Sequence, residues 1–108
     1  MDEIPSCHKV FEMPAAIRDL DDILSYVQDD LQVPGTAVSL LDAYDEAVKS
    51  LKFSPYRCTS LMERGLKHYR VKEFENYLIF YVVKEELKIV EVRRIFHSKQ
   101  NYRFLLRK

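Results

Sequence analysis

His97 lies in a run of cations, with Arg93 and Arg94 before it and Lys99 and Tyr102 after it. An imidazole titrates near neutrality and can move protons. A guanidinium grips phosphate oxygens in a planar fork, an ammonium holds them as a point charge, and a phenol ring stacks on a base. The surrounding half of the chain shares this character. Residues 55–108 hold 13 of the 17 Lys and Arg and nine of the 13 Phe and Tyr, whereas residues 1–54 hold 11 of the 17 Asp and Glu. The formal net charge of zero therefore hides an acidic first half and a basic second half. Cations interleaved with flat rings suit nucleic acid or another polyanionic partner. The plainer reading treats the rings as strand core, His97 as a strand-end packing residue and Tyr102 as packing on the sheet. It also makes one of Arg93 and Arg94 a plain surface charge or a partner of Glu91, because consecutive residues of a regular strand point to opposite faces.

The elements that must position these residues follow from periodicity. Residues 7–12 read as a short strand. Pro14 suits the first turn of a helix, where its missing N–H is not needed. Ala16, Ile17, Leu20, Ile23, Leu24, Val27 and Leu31 give that helix one apolar stripe, and Arg18, Asp19, Asp22 and Asp29 give it a solvated face. The acids Asp19, Asp21 and Asp22 near the helix start read as dipole-favoured surface residues, not as a metal cluster. Pro34-Gly35 breaks the chain, and Pro34 can open a second helix. Ala37, Leu40, Leu41, Tyr44, Ala47, Val48 and Leu51 form its stripe. So short a connection predicts an antiparallel helical hairpin.

Residues 53–66, with Pro55 and Gly65, read as a loop. Strands are expected over 67–74, 76–83 and 87–96, joined by turns at 73–76 and 84–86. The string Tyr77 to Val83 is apolar throughout, as a central strand covered on both faces requires. The tail from Ser98 is a last strand or a short helix. These elements predict an α+β fold, β-α-α-β-β-β, in which one antiparallel sheet carries an N-terminal helical hairpin on one face and collects basic side chains on the other.

At 108 residues the chain is one domain, 1–108, able to bury its own core. No apolar run reaches membrane-spanning length, and the acidic start Met1-Asp2-Glu3-Ile4 carries no signal-peptide core, so cytoplasmic residence without membrane contact is expected. Cys7 and Cys58 are expected as free thiols. The scattered His8, His68 and His97 make no metal-ligand spacing, and neither metal nor cofactor is expected.

The string Asn76 to Val83 resembles the central strand of the RelE/ParE superfamily of bacterial toxins, the plasmid stabilisation proteins. Ala15 to Ile23 is similar to that family's first helix, and Ser50 to Cys58 to its helix-to-loop junction. Gly65 and Arg70 match the approach to the central strand, and Val90 to His97 resembles the last strand. Order and spacing are kept along nearly the whole chain. The resemblance implies the fold already read from periodicity and a toxin of a type II toxin–antitoxin module, silenced by a cognate antitoxin. Its RelE-like branch cuts messenger RNA, usually on the ribosome, and its ParE-like branch inhibits DNA gyrase.

Cutting RNA without metal requires a base for the 2′-hydroxyl, a cation for the pentacovalent phosphorus and an acid for the departing oxygen. Arg70 and Arg94 match positions where the family carries Arg, and neighbouring strands in the right register would bring them to one phosphate. His97 and Tyr102 are the proton-transfer candidates, with Lys67, Arg93 and Lys99 as further RNA or phosphate contacts. After His97 the family commonly reads small-basic-basic-acidic, whereas this chain reads Ser98-Lys99-Gln100-Asn101, and Lys72 stands where an apolar strand residue is usual. The leading expectation is a metal-independent endoribonuclease, an mRNA interferase. The alternatives are a non-enzymatic gyrase inhibitor and a degenerate, antitoxin-binding member without activity.

Overall fold

The computed structural model describes residues 7–28 and 35–107. The chain start, Asp29, Leu31 and Pro34, all used in the sequence reading, lie outside these residues. The elements run β1 (Lys9–Glu12), α1 (Pro14–Tyr26), α2 (Thr36–Phe53), β2 (Arg70–Phe74), β3 (Tyr77–Lys84), β4 (Ile89–His97) and α3 (Tyr102–Arg107), with a 3-10 turn at Glu85–Leu87. Pro14 does open α1. Gly35 precedes α2 at φ 82°, a conformation a residue with a Cβ adopts only at a cost. The tail is a helix, and residues 67–69 belong to the turn before β2.

The sheet has the order β1-β4-β3-β2. It is mixed, which corrects the wholly antiparallel expectation: β2–β3 and β3–β4 are antiparallel hairpin pairs, but β1 lies parallel to β4. A hairpin turn forces antiparallel pairing, whereas β1 is linked to the sheet only through the two helices and is free to run parallel. β3 is an inner strand as its composition predicts, with Ile79, Phe80 and Tyr81 all 0% exposed.

Side-chain alternation along β3 feeds two cores. Ile79 and Tyr81 face α1 and α2 and pack with Ala16, Leu40, Tyr44, Leu51 and β4 residues Val90, Val92 and Ile95. Phe80 and Val82 face the other way, under Leu66, Tyr69, Phe96 and the α3 residues Tyr102, Leu105 and Leu106. The second face is thus roofed by the turn before β2 and by α3. Two stripe residues, Ile17 and Leu41, sit at the flanks of their helices and are exposed. The Tyr81 hydroxyl, inside the first core, donates to the Pro55 carbonyl at 2.6 Å and ties the loop after α2 to the sheet.

The β3–β4 ladder contains a bulge. Phe80 opposes Arg94 but Tyr81 opposes Val92, so Arg93 has no counterpart. The extra residue overrides strict alternation between the core residues Val92 and Ile95. Arg93 reaches Glu91, and Arg94 lies over the Phe96 ring with its guanidinium carbon 4.7 Å from the centroid. Both arginines therefore leave β4 on the second face, where a regular strand would have split them.

Candidate functional site

β1 pairs with β4 only as far as Val92, so the outer edge of β4 from Arg93 onward lacks a strand neighbour. Asp19 of α1 fills that gap. Its Oδ2 accepts the Ile95 backbone N–H at 2.9 Å, standing in for a missing strand partner. The same carboxylate takes Arg94 Nε at 2.8 Å and Arg94 Nη2 at 3.0 Å, a bidentate fork. The Asp19 and Arg94 side chains are 15% and 33% exposed. The hydrogen bonds that Arg94 donates to Asp19 hold its pKa above the ordinary value. Asp19 is thus a structural anchor, not the solvated acid the sequence suggested. One sequence signal marks it: it lies three residues after buried Ala16, at the rim of the apolar stripe.

Arg70 lies elsewhere. As the first residue of β2 it opposes Tyr81, which puts it on the helix-covered face, whereas Arg94 opposes Phe80 on the other. Neighbouring residues of β3 point to opposite faces, and β3 itself separates β2 from β4. The expected convergence of Arg70 and Arg94 on one phosphate is therefore absent. Arg70 Nη1 donates to the Cys58 carbonyl at 2.5 Å and to the Tyr56 carbonyl at 3.4 Å, and its guanidinium lies 5.0 Å from the Tyr56 ring centroid. It fastens the loop after α2 to the sheet.

His97 ends β4 opposite Tyr77, with the two rings edge to face at 5.2 Å. Its Nδ1 accepts the Lys99 backbone N–H at 3.1 Å, which assigns the neutral ring's proton to Nε2. Its own backbone N–H donates to Gln100 Oε1 at 2.8 Å. In the neutral ring neither nitrogen then offers a free lone pair to a substrate hydroxyl. Tyr102 stacks on Phe80 at 5.1 Å and donates its hydroxyl to Glu63 at 3.2 Å, while Arg103 Nε binds the same carboxylate oxygen at 2.8 Å. Burial, then the Glu63 contact, raises the Tyr102 pKa. Arg93 binds Glu91 through Nε at 2.9 Å and Nη2 at 2.7 Å. Lys67 and Lys99 are exposed turn residues whose ammonium groups have no partner among the described residues.

The seven predicted residues thus divide. Arg93, Arg94 and Tyr102 share the second face, His97 and Lys99 close the far end of β4, Arg70 anchors the opposite face, and Lys67 stands apart in a turn. A second anchor was not anticipated. Glu85 accepts hydrogen bonds from His8 Nε2 at 2.9 Å and the Tyr56 hydroxyl at 2.8 Å, and it pairs with Lys88. Lys88 first, then His8 and Tyr56, depress its pKa to about 2. No group of three or more His, Cys, Asp or Glu among the described residues is arranged to hold a metal, and no helix among them is long and apolar enough to cross a membrane.

A four-stranded mixed sheet with a helical hairpin on one face and a terminal helix on the other defines the class of small RelE/ParE-like domains. Within it, residues 11–102 match the model of the ParE toxin of the type II toxin–antitoxin system parDE, and the chain belongs to that family. Two solved structures share the fold. One is a chromosomal ParDE toxin–antitoxin system from P. aeruginosa, at TM-score 0.68 and 21% identity over 83% of this chain and 95% of that one. The other is the toxin–antitoxin complex RelBE2 from Mycobacterium tuberculosis, at TM-score 0.61 and 20% identity over 85% of this chain and 99% of that one. No curated protein matches the sequence.

Proposed function

We propose that this toxin acts by binding DNA gyrase, not by cutting messenger RNA, and that a cognate antitoxin holds it silent in the cytoplasm. The observation that carries the choice is the placement of the two arginines. Arg70 and Arg94 occupy opposite faces of the sheet, and each is committed to the protein itself. A metal-free ribonuclease needs cations and a proton acceptor converging on one phosphate. Here the nearest residues of the right type, His97 and Tyr102, are engaged by Lys99 and Glu63. A binding toxin has no such requirement, and the match to the ParE model supports the same side. The antitoxin partner is supported by the two structural relatives, each from a toxin–antitoxin system.

Purified protein added to gyrase tests this directly. Supercoiling of relaxed plasmid should be inhibited, and messages mapped from arrested cells should stay intact. Specific message cleavage with gyrase unaffected would overturn the proposal in favour of an mRNA interferase. A protein that neither arrests growth nor touches either target would mark a degenerate, antitoxin-binding member.

A further inference from the structure

Beyond the toxin's target, we propose that the C-terminal end of α1 forms a receptor for a single arginine side chain presented by a protein partner. A cavity of about 520 Å³ opens between α1 and the far end of the β3–β4 hairpin, lined by Asp22, Ile23, Tyr26, Asn76, Tyr77 and His97. That volume lies inside the roughly 300–1,000 Å³ of small-ligand clefts. Its walls are aromatic. Tyr77 and His97 meet at 83° and make a ring-lined corner, and the exposed Tyr26 stands on the α1 side. Burial, then the neighbouring Tyr26, raises the Tyr77 pKa, so the Tyr77 phenol stays neutral at physiological pH.

Three features favour a cation here. Asp22, one helical turn before Tyr26, has no partner among the described residues. The last turn of α1 contains no basic residue, so the negative end of the helix dipole is uncompensated at the cavity rim. The ring faces carry negative quadrupole, which attracts a flat cation more than a neutral group. A guanidinium meets all three: it stacks on a ring, forks onto a carboxylate and keeps its charge. A nucleotide could use the rings too, but its phosphate would meet the unpaired Asp22 carboxylate at the cavity wall. The floor is rigid, because the Asn76 carbonyl accepts the Ser98 N–H at 2.8 Å and Ile23 packs on the main core.

The probe is the blocked peptide acetyl-Gly-Arg-Gly-amide, titrated into the full chain while the aromatic resonances of Tyr26, Tyr77 and His97 are followed by NMR. Saturable shifts of these rings are expected, with affinity reduced roughly tenfold in Asp22→Asn and in Tyr26→Ala. Both residues are solvent-facing on α1, so a circular dichroism melt should confirm an unchanged fold. The citrulline peptide, equal in shape but uncharged, should bind at least tenfold more weakly. Equal binding of the citrulline peptide, undiminished binding by Asp22→Asn, or tighter binding of guanosine monophosphate than of the arginine peptide would each overturn the proposal. The outcome is independent of whether gyrase is the target.

Discussion

Asp19 and Arg94 meet across the open edge of β4, the carboxylate of a helix residue completing a strand that β1 leaves unpaired. One side chain accepts three hydrogen bonds there, two from the Arg94 guanidinium and one from the Ile95 backbone. The cation that the sequence assigns to a phosphate is thereby bound to the fold. A phosphate could take the Nε–Nη2 fork of Arg94 only by displacing a partly buried carboxylate that also holds the Ile95 backbone N–H.

Asp19→Ala should therefore destabilise the domain by roughly 2–3 kcal/mol, because it orphans a half-buried guanidinium and a strand N–H together. Urea unfolding gives the number. Asp22→Ala, on the exposed side of the same helix, should change stability by less than about 0.5 kcal/mol. A double-mutant cycle between Asp19→Ala and Arg94→Ala should show coupling of roughly 1–2 kcal/mol. Equal effects of Asp19→Ala and Asp22→Ala would mean that the edge contact contributes nothing.

Tyr81→Phe removes one oxygen from a residue that is otherwise fully enclosed. The Pro55 carbonyl then loses its donor inside the first core. The expected cost is about 1–2 kcal/mol, read from the same unfolding curves. The loop after α2 should also exchange its amide hydrogens faster, since Tyr81 and Arg70 are two of its tethers.

Tyr102→Phe and His97→Gln separate packing from catalysis. Both keep the bulk of the side chain, and His97→Gln retains an acceptor near Lys99. Growth arrest on expression should persist for each variant, with stability changed by less than about 1 kcal/mol. A general acid or base at either position would instead lose roughly 10²–10⁴-fold in rate, and arrest would vanish with the fold intact.

Glu85 predicts an acid-sensitive contribution to stability. Its folded pKa, about 2, lies below the ordinary carboxylate value of 4.5. A depressed carboxylate pKa adds stability that is fully present above the unfolded value and fades as pH falls through the folded one. The wild type should therefore lose more stability than Glu85→Gln between about pH 4.5 and pH 2, and the two melting curves should converge at the acid end. Parallel curves across this window would show that Lys88, His8 and Tyr56 do not hold the carboxylate ionised in the native state.

Much of the fold was legible because local periodicity reflects local burial. Pro14, the stripes from Ala16 to Val27 and from Ala37 to Leu51, and the apolar string at Tyr77 place two helices and the central strand. A pairing of Glu91 with one of its two arginines and the packing of Tyr102 were legible among the plainer alternatives to function, though not that Arg93 is the one that pairs. Less was legible of the candidate site. Arg70 and Arg94 are each correctly assigned to a strand, but their separation depends on which residue of β3 each one faces.

The sequence by itself determined which segments are apolar, at what spacing, and therefore the order of helices and strands and the two-sided burial of β3. Tertiary structure alone decided the parallel seat of β1, the bulge at Arg93, the opposite faces of Arg70 and Arg94, and the capture of Arg94 by Asp19 from 75 residues away. The division has a physical cause. Burial periodicity is set by a residue and its neighbours along the chain, whereas register, bulges and edge contacts are set by pairings between distant segments, and a shift of one residue there reverses the face on which a side chain emerges.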